Sequence, residues 1–243
     1  DLMLPHRFQY HRPDNLEQVF ELLDRYGDDV APYAGGILLL LALKARVLRY
    51  EHLVDLKRVP GLKGVCESDG QIVIGALSSH FSLATDPIVK RLVPAYAALS
   101  DNIANIRVRV SGTIGGNLCF AEPHADPPAM LAALGASLTL RGRDGERRVA
   151  MADFIEGEFT TVRGPAEVLT EVRIPAPAAS ARYAYCSFGH LERPAVGIAA
   201  GYCPERGTPH YRIWAGAIAG RPAQLRSVED ALEGVPPDKL GDV

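Results

Sequence analysis

Two short glycine-rich stretches, Ala34-Gly35-Gly36 and Ser111-Gly112-Thr113-Ile114-Gly115-Gly116-Asn117, constrain this chain more than any other feature. Glycine has no Cβ, so paired glycines let the backbone come close to a ligand, and successive free N–H groups form a concave nest for anions. The first stretch follows an apolar extended segment, Val30 to Tyr33, and opens onto a helical one, Ile37 to Val47. A helix N-terminus there would add a dipole that favours negative charge. Thr113 and Asn117 give the second stretch a hydroxyl and an amide. Two such loops facing each other would clamp the two phosphates of a dinucleotide. A Gly-Gly pair after a strand also serves as an ordinary turn, and neither stretch is a GxGxxG or GxxxxGK[ST] sequence, so spacing leaves both readings open.

The segments around the loops predict the class of fold. Leu16, Val19, Phe20, Leu23 and Tyr26 form a helical stripe that Asp14 can cap and Gly27 ends. With His52 to Leu56 as a strand, the first residues read as a small β-α-β unit. Lys63 to Glu67 and Gln71 to Ala76 form a hairpin around Ser68-Asp69-Gly70, and Ser137 to Leu140 with Glu146 to Val149 form another around Arg143-Asp144-Gly145. Between them lie helical stretches from Ser79 to about Asn105, broken at Pro87 and Pro94, then the second glycine loop and a helix over Pro128 to Leu134. Glu167 to Ile174 is one more strand. After a proline-rich linker, Pro175 to Ser180, the segments Arg182 to Phe188, Ala195 to Cys203 and His210 to Ala217 predict a three-stranded antiparallel sheet, and Ser227 and Asp230 suit the start of a helix over Val228 to Glu233. Segregated strands and helices argue α+β, not a doubly wound sheet.

Composition narrows the function classes. The 243 residues are 47% hydrophobic, enough for a sizeable core, and 26 basic against 29 acidic side chains leave a net charge of −3. That excludes the concentrated basic face of a nucleic-acid binder and the composition of a disordered chain. The longest apolar run, Ala34 to Ala45, contains Lys44 and falls short of the roughly 20 residues of a membrane span. No secretory leader opens the chain, so a cytoplasmic protein is expected. Cys66, Cys119, Cys186 and Cys203 are widely spaced without a CxxC pair. They support neither a zinc ribbon nor an iron–sulfur cluster and are expected to be reduced, mostly buried thiols.

Ser111-Gly112-Thr113-Ile114-Gly115-Gly116-Asn117-Leu118, followed by Ala121-Glu122-Pro123-His124-Ala125-Asp126-Pro127-Pro128, closely resembles the signature of the FAD-binding (medium) subunit of molybdenum hydroxylases. This group includes aerobic carbon monoxide dehydrogenase and the flavin domain of xanthine dehydrogenase. Pro13-Asp14-Asn15-Leu16, Ala34-Gly35-Gly36 with Lys44 and Arg46, Leu53-Val54-Asp55-Leu56, Ile74-Gly75-Ala76-Leu77-Ser78-Ser79-His80 and Val168 to Pro175 fit in the same order. The resemblance implies an α+β, two-lobed FAD-binding fold of the vanillyl-alcohol-oxidase/PCMH type over residues 1–175, with lobes of about 1–56 and 57–175 and FAD between them. It further implies a small antiparallel-sheet C-terminal domain over 177–243. In the family that domain continues for several helical turns, so the stop at Val243 and the start at Asp1 without Met lead us to expect a piece of a longer chain.

The resemblance also implies roles. Ala34, Gly35, Gly36, Ile37 and Leu38 would offer backbone N–H groups to the pyrophosphate of non-covalently bound FAD. Relatives commonly carry a polar pair in place of Ile37-Leu38. Each lost side-chain hydrogen bond costs on the order of 1 kcal/mol, which predicts weaker FAD retention. Thr113, Gly115, Gly116 and Asn117 would surround the pyrophosphate and adenosine side, with Ile114 and Leu118 packed beneath. Asp126 would accept hydrogen bonds from ribityl hydroxyls, a task suited to an acceptor-only group; a helix N-cap before Pro127 is its alternative. Leu169 would line the flavin ring through its backbone, or be a core leucine. Ser187 stands where many relatives place a Lys beside the ring, and Tyr185, Phe188 and the run from Gly189 to Arg193 are candidates to approach it. His80, Arg107 and Arg109 are polar candidates near the loops but read more simply as surface or loop residues, as does His124. Trp214, Tyr183, Tyr202 and Tyr211 read as packing groups.

No catalytic acid–base set and no metal-ligating set is expected in the chain. The implied function is electron transfer: a molybdopterin-binding large subunit hydroxylates a substrate, a small subunit with 2Fe–2S clusters relays electrons, and FAD here passes them to a terminal acceptor. A dimer of such heterotrimers is the family's usual assembly. Two readings stay open beside it. One is a flavin-free scaffold subunit of the same kind of complex. The other is a stand-alone flavin oxidoreductase, which commonly carries a covalently attached histidine where Ile37 follows Gly36 here.

Overall fold

The computed structural model describes residues 5–190, 193–204 and 207–242. Its first unit is a three-stranded parallel sheet in the order β1 (Gln9–His11), β3 (His52–Asp55), β2 (Val30–Tyr33). Helix α1 (Leu16–Tyr26) links β1 to β2, and α2 (Ile37–Lys44) links β2 to β3. Alternate strand residues face opposite ways, so both faces of the sheet are covered. Val30 and Val54 pack with Val19, Phe20 and Leu23 of α1, whereas Ala31 and Leu53 pack with Leu43 of α2. Asn15, not Asp14, caps α1: its extended backbone lets its side chain accept from the Gln18 N–H at 2.9 Å. Asp14 lies one residue too early and instead pairs with Arg58 at 3.0 Å. Gly27 ends the helix as expected. Strand β1 was not anticipated, since Gln9-Tyr10-His11 carries no strand pattern; pairing with β3 makes it a strand.

The second unit is a five-stranded antiparallel sheet, β4 (Val65–Ser68), β5 (Gln71–Gly75), β10 (Val168–Pro175), β6 (Ser137–Gly142) and β7 (Gly145–Ala150) in that spatial order. Both expected hairpins form. At the first, Asp69 and Gly70 both take positive φ, the backbone that a tight two-residue turn requires. Between β5 and β6 run α3 (His80–Thr85), α4 (Pro87–Leu92), α5 (Pro94–Asn102), α6 (Ile106–Ser111), α7 (Ile114–Phe120) and α8 (Pro127–Ala133). Pro87, Pro94 and Pro127 open their helices, where a missing N–H costs nothing. A short helix α9 (Met151–Phe154) and a ribbon, β8 (Ile155–Gly157) with β9 (Thr160–Thr161), precede β10.

The expected three-stranded C-terminal sheet has four strands: β11 (Arg182–His190), β12 (Arg193–Tyr202), β13 (Tyr211–Gly216) and the two-residue β14 (Ala223–Gln224). Helix α10 (Arg226–Leu232) starts two residues earlier than Ser227 and Asp230 suggested and has no side-chain cap. All seven residues of α8 are buried, because the five-stranded sheet packs on one side and Ala199 and Trp214 of the C-terminal sheet pack on the other. On that inner face Tyr183 covers Gly201 and Tyr185 covers Gly197, so each ring occupies the space a neighbouring Cβ would fill. Trp214 is buried, and Tyr202 and Tyr211 pair ring to ring at 5.6 Å.

All four cysteines are free thiols, but they are not mostly buried. Cys66 lies on the edge strand β4 and Cys186 on the outward side of β11, and both are exposed. Among the described residues no helix is long and apolar enough to cross a membrane.

Candidate functional site

The two glycine stretches meet. A Cβ on Gly35 would lie 2.0 Å from the Ser111 carbonyl oxygen and 3.1 Å from Gly112 Cα, so only glycine permits this backbone-to-backbone approach. Gly36 takes φ +75° and seats its Cα against the Tyr33 ring. It stands at the N-cap of α2 without any side-chain cap. The first N–H groups of that helix, from Ile37 and Leu38, therefore have no side-chain acceptor, and the positive end of the helix dipole is open. Ala34, Gly35, Gly36, Ile37 and Leu38 are all half-buried.

The second stretch is not a loop throughout. Its turn is confined to Gly112 and Thr113, and Ile114, Gly115, Gly116 and Asn117 are the first turn of α7. Thr113 caps that helix, its hydroxyl oxygen accepting from Gly116 N–H at 3.1 Å. The signal was present in the sequence, a threonine before small residues and an apolar run, but the glycines masked it. The segment Ala76 to His80 forms the floor: Ile114 N–H donates to Ser78 O and Gly115 N–H to Ala76 O. Here the absence of a side chain matters again, because a Cβ on Gly115 would sit 2.7 Å from Ala76. Ile114 and Leu118 are fully buried beneath.

Division of labour between the loops follows. Amides of Ile114, Gly115, Gly116 and Asn117 are engaged within the protein, while the start of α2 is uncapped. Across from α2, Gly116 faces Ala34 with 3.9 Å between its virtual Cβ and the Ala34 methyl, so the cradle wall is smooth. The Asn117 Oδ1 is buried and has no partner among the described residues. A buried acceptor without a donor costs roughly 1–3 kcal/mol and calls for one. Glycine cradle, open helix end and orphaned amide oxygen together fit a ligand with a diphosphate and hydroxyl donors.

Behind Tyr33 lies a polar buttress that sequence reasoning passed over. Asp55, 2% exposed, accepts from Tyr10 and from Lys57 N–H, and pairs with Lys57 Nζ at 3.6 Å. That ammonium also sits 4.4 Å from the Tyr33 ring centre. Burial and the adjacent Asp55 carboxylate push the Tyr10 phenol up to about 12. An Asp ending an apolar strand, as in Leu53-Val54-Asp55, was the available signal.

Helix α7, about 10 Å long at 1.5 Å per residue, leads from the cradle to the turn that bears Asp126. Asp126 occupies the N-cap position of α8 but makes no cap hydrogen bond. Its Oδ1 instead accepts from the Tyr185 hydroxyl at 2.7 Å. Burial raises the Asp126 carboxyl, and the hydrogen bond from Tyr185 opposes that shift. Desolvation and the Asp126 charge in turn raise the Tyr185 phenol. Phe188 is 77% exposed and, three residues on, points to the opposite face of β11, whereas Ser187 shares the face of Tyr185. Leu191 and Glu192 lie outside the described residues.

Leu169 is a core residue of β10, 4% exposed and paired with Leu140, so only its backbone is available. The strand is irregular just after it, and the Thr170 carbonyl accepts from Ala76 N–H. His80 is not a surface residue: it is 2% exposed beneath Gly112, burial lowers its imidazole to about 4, and its Nδ1 has no partner among the described residues. The tight turn at Gly112 covers it. Arg109 donates to the carbonyls of Ile103 and Ala104 and is structural, Arg107 is exposed, and His124 pairs with Glu122 at 3.1 Å. Among the described residues no group of three metal-ligating side chains occurs. What the arrangement can do is bind and orient.

Known proteins resemble this chain over most of its length. The family described as the FAD binding domain in molybdopterin dehydrogenase matches residues 6–177. The carbon monoxide dehydrogenase medium chain of Afipia carboxidovorans is 38% identical over 183 residues, covering 75% of this chain and 64% of that protein, just under two-thirds of its length. Caffeine dehydrogenase subunit beta from a Pseudomonas species is 30% identical over 240 residues, covering 96% of this chain and 81% of its own. Among solved structures, the Cu,Mo-CO dehydrogenase superimposes with a TM-score of 0.92 at 33% identity, over 96% of this chain and 82% of the matched one. Quinoline 2-oxidoreductase from Pseudomonas putida 86 superimposes with a TM-score of 0.89 at 32% identity, over 96% and 81%.

Proposed function

Because this chain belongs to the family of FAD-binding domains of molybdopterin dehydrogenases, we propose that it is the FAD-carrying, electron-transferring subunit of a molybdenum hydroxylase. The observation that carries the reading is the contact of Gly35 with Ser111 beneath the uncapped start of α2. FAD held there would supply chemistry that exchanges electrons singly or in pairs and could join one-electron clusters to a terminal acceptor. Everything else asked of this chain is binding and orientation.

In this reading the N–H groups of Ile37 and Leu38, with the helix dipole behind them, hold the diphosphate, and Gly35, Gly36 and Gly116 keep side chains out of its path. Thr113 positions the start of α7, and Gly115 keeps it on the floor formed by Ala76. Asn117 Oδ1 accepts from a hydroxyl on the adenosine side. Asp126 accepts from the ribityl chain, and the Leu169 backbone meets the pyrimidine edge of the ring. Neither first-loop residue after Gly36 is a nucleophile, so the cofactor is held without a covalent bond. The proposed division is two FAD-binding lobes, 1–56 and 57–175, and a C-terminal unit, 177–243, that closes over Asp126 through Tyr185.

The proposed partners are a molybdopterin-binding large subunit and a small subunit with 2Fe–2S clusters that delivers the electrons, arranged as a dimer of heterotrimers. Anaerobic mixing of the FAD-loaded chain with the reduced 2Fe–2S subunit of its own complex tests the route. Loss of the oxidised-flavin absorption is expected. A flavin that stays oxidised in the assembled complex overturns the electron-transfer assignment.

A further inference from the structure

We propose that Tyr185 is a positioning residue for Asp126: from the C-terminal sheet its hydroxyl holds one carboxylate oxygen, leaves the other for the cofactor's hydroxyl chain, and so couples seating of that sheet to FAD binding. The inference rests on the FAD reading above and deepens it.

Three observations carry it. First, the Tyr185 hydroxyl donates to Asp126 Oδ1 at 2.7 Å across the junction of β11 with the start of α8, and Tyr185 is the one side-chain partner of Asp126 among the described residues. Second, Asp126 occupies a helix N-cap position yet does not cap α8; the backbone group that acts on its carboxylate is its own N–H, and more weakly than the Tyr185 hydroxyl. Third, the space for the Tyr185 hydroxyl is built into the next strand. A Cβ on Gly197 would lie 2.0 Å from that oxygen and 2.9 Å from Cζ, so any other residue at 197 would expel the hydroxyl from its place. An apolar packing role for the ring needs no such provision at the hydroxyl end.

The charges around Asp126 agree. Burial and the neighbouring Glu122 both favour its neutral form, and Glu122 is itself paired with His124. On the strand side the neighbouring titratable group is Cys186, next to Tyr185. Among the described residues no cation acts on Asp126, and the Tyr185 hydrogen bond is the stronger of the two hydrogen bonds, the other from its own backbone N–H, that favour the ionised form against burial. An ionised carboxylate is the stronger acceptor for a row of hydroxyl donors.

The test uses the full chain with Tyr185→Phe, which keeps the ring over Gly197, and with Gly197→Ala, which keeps the tyrosine but displaces its hydroxyl. Carbon-13 NMR of the Asp126 carboxyl in the FAD-free protein reads the titration directly, and FAD dissociation constants are measured from about pH 5 to about pH 8. In both variants the Asp126 midpoint is expected to rise. FAD affinity should fall about tenfold near the acidic end, the deficit narrowing as pH rises. An unchanged Asp126 midpoint, or affinity lowered equally at every pH, overturns the proposal, because a purely structural role predicts that pattern. A wild-type chain that binds no FAD at any pH overturns the FAD reading itself, whatever the carboxyl titration shows, and the proposed role falls with it.

Discussion

Gly35→Ala is the substitution that addresses the cradle most directly. The added methyl would meet the Ser111 carbonyl oxygen at 2.0 Å and its carbon at 2.9 Å, both backbone atoms that no side-chain rotation can move. To reach ordinary contact, the start of α2 and the turn at Gly112 must separate by more than about 1 Å, a local overpacking worth about 1–3 kcal/mol. The effect on the ligand should exceed the effect on folding. Opening that gap pulls the first N–H groups of α2 away from the phosphates, and each charge-assisted hydrogen bond lost costs about 1.5–3 kcal/mol, or at least about tenfold in affinity. Urea denaturation of the FAD-free chain and fluorescence titration with FAD give the two numbers. Gly157→Ala is the control, since a methyl there meets nothing within 4 Å, and it should change neither. A Gly35→Ala protein with wild-type denaturation midpoint and wild-type FAD affinity would refute the idea that the two loops form one closely packed site.

Three further outcomes are expected. Asp126→Asn should weaken FAD about tenfold through the lost charged acceptor, while the FAD-free protein holds or gains thermal stability at neutral pH. The sign follows from burial raising this carboxyl: the stability it allows is full below its unfolded value and declines as pH rises through the folded one, so removing the charge relieves a cost. His80, lowered by burial from 6.5 to about 4, works the other way; its contribution is intact above 6.5 and is lost as pH falls toward 4. His80→Leu should therefore flatten the acid limb of a stability–pH curve by up to about 3 kcal/mol, as measured by urea midpoints. Ile37→Thr adds a hydroxyl donor at the open end of α2 and should tighten FAD about fivefold by equilibrium titration.

Much of this architecture was legible because local chemistry and global fold agree. The stripe of Val19, Phe20 and Leu23, the Asp69-Gly70 turn and the prolines at 87 and 94 each act within a few residues, and each element formed where it was expected. Strand β1 and the two-residue β14 were not legible, because they exist only through pairing with distant partners, β3 and β13. The stretch from Ile114 to Asn117 misled for a different reason. Glycine lowers helix propensity, yet here Gly115 serves close packing against Ala76 and Gly116 leaves room for the capping Thr113 hydroxyl, and that cap with Ile114 and Leu118 in the core outweighs the propensity cost. At the site, residue types were visible but pairings were not: nothing local links Tyr185 to Asp126, or places His80 under Gly112.

In the proposed function, the cradle made by Gly35, the start of α2 and Asn117 holds FAD without a covalent bond. The most direct measurement is the absorbance spectrum of the purified chain after incubation with FAD and removal of the excess, followed by acid precipitation and identification of the released cofactor. A two-banded flavin spectrum and near-equimolar FAD in the supernatant are expected. A folded, colourless chain that retains no FAD would contradict the proposed function, and would leave the apolar Ile37-Leu38 pair as the mark of a flavin-free scaffold.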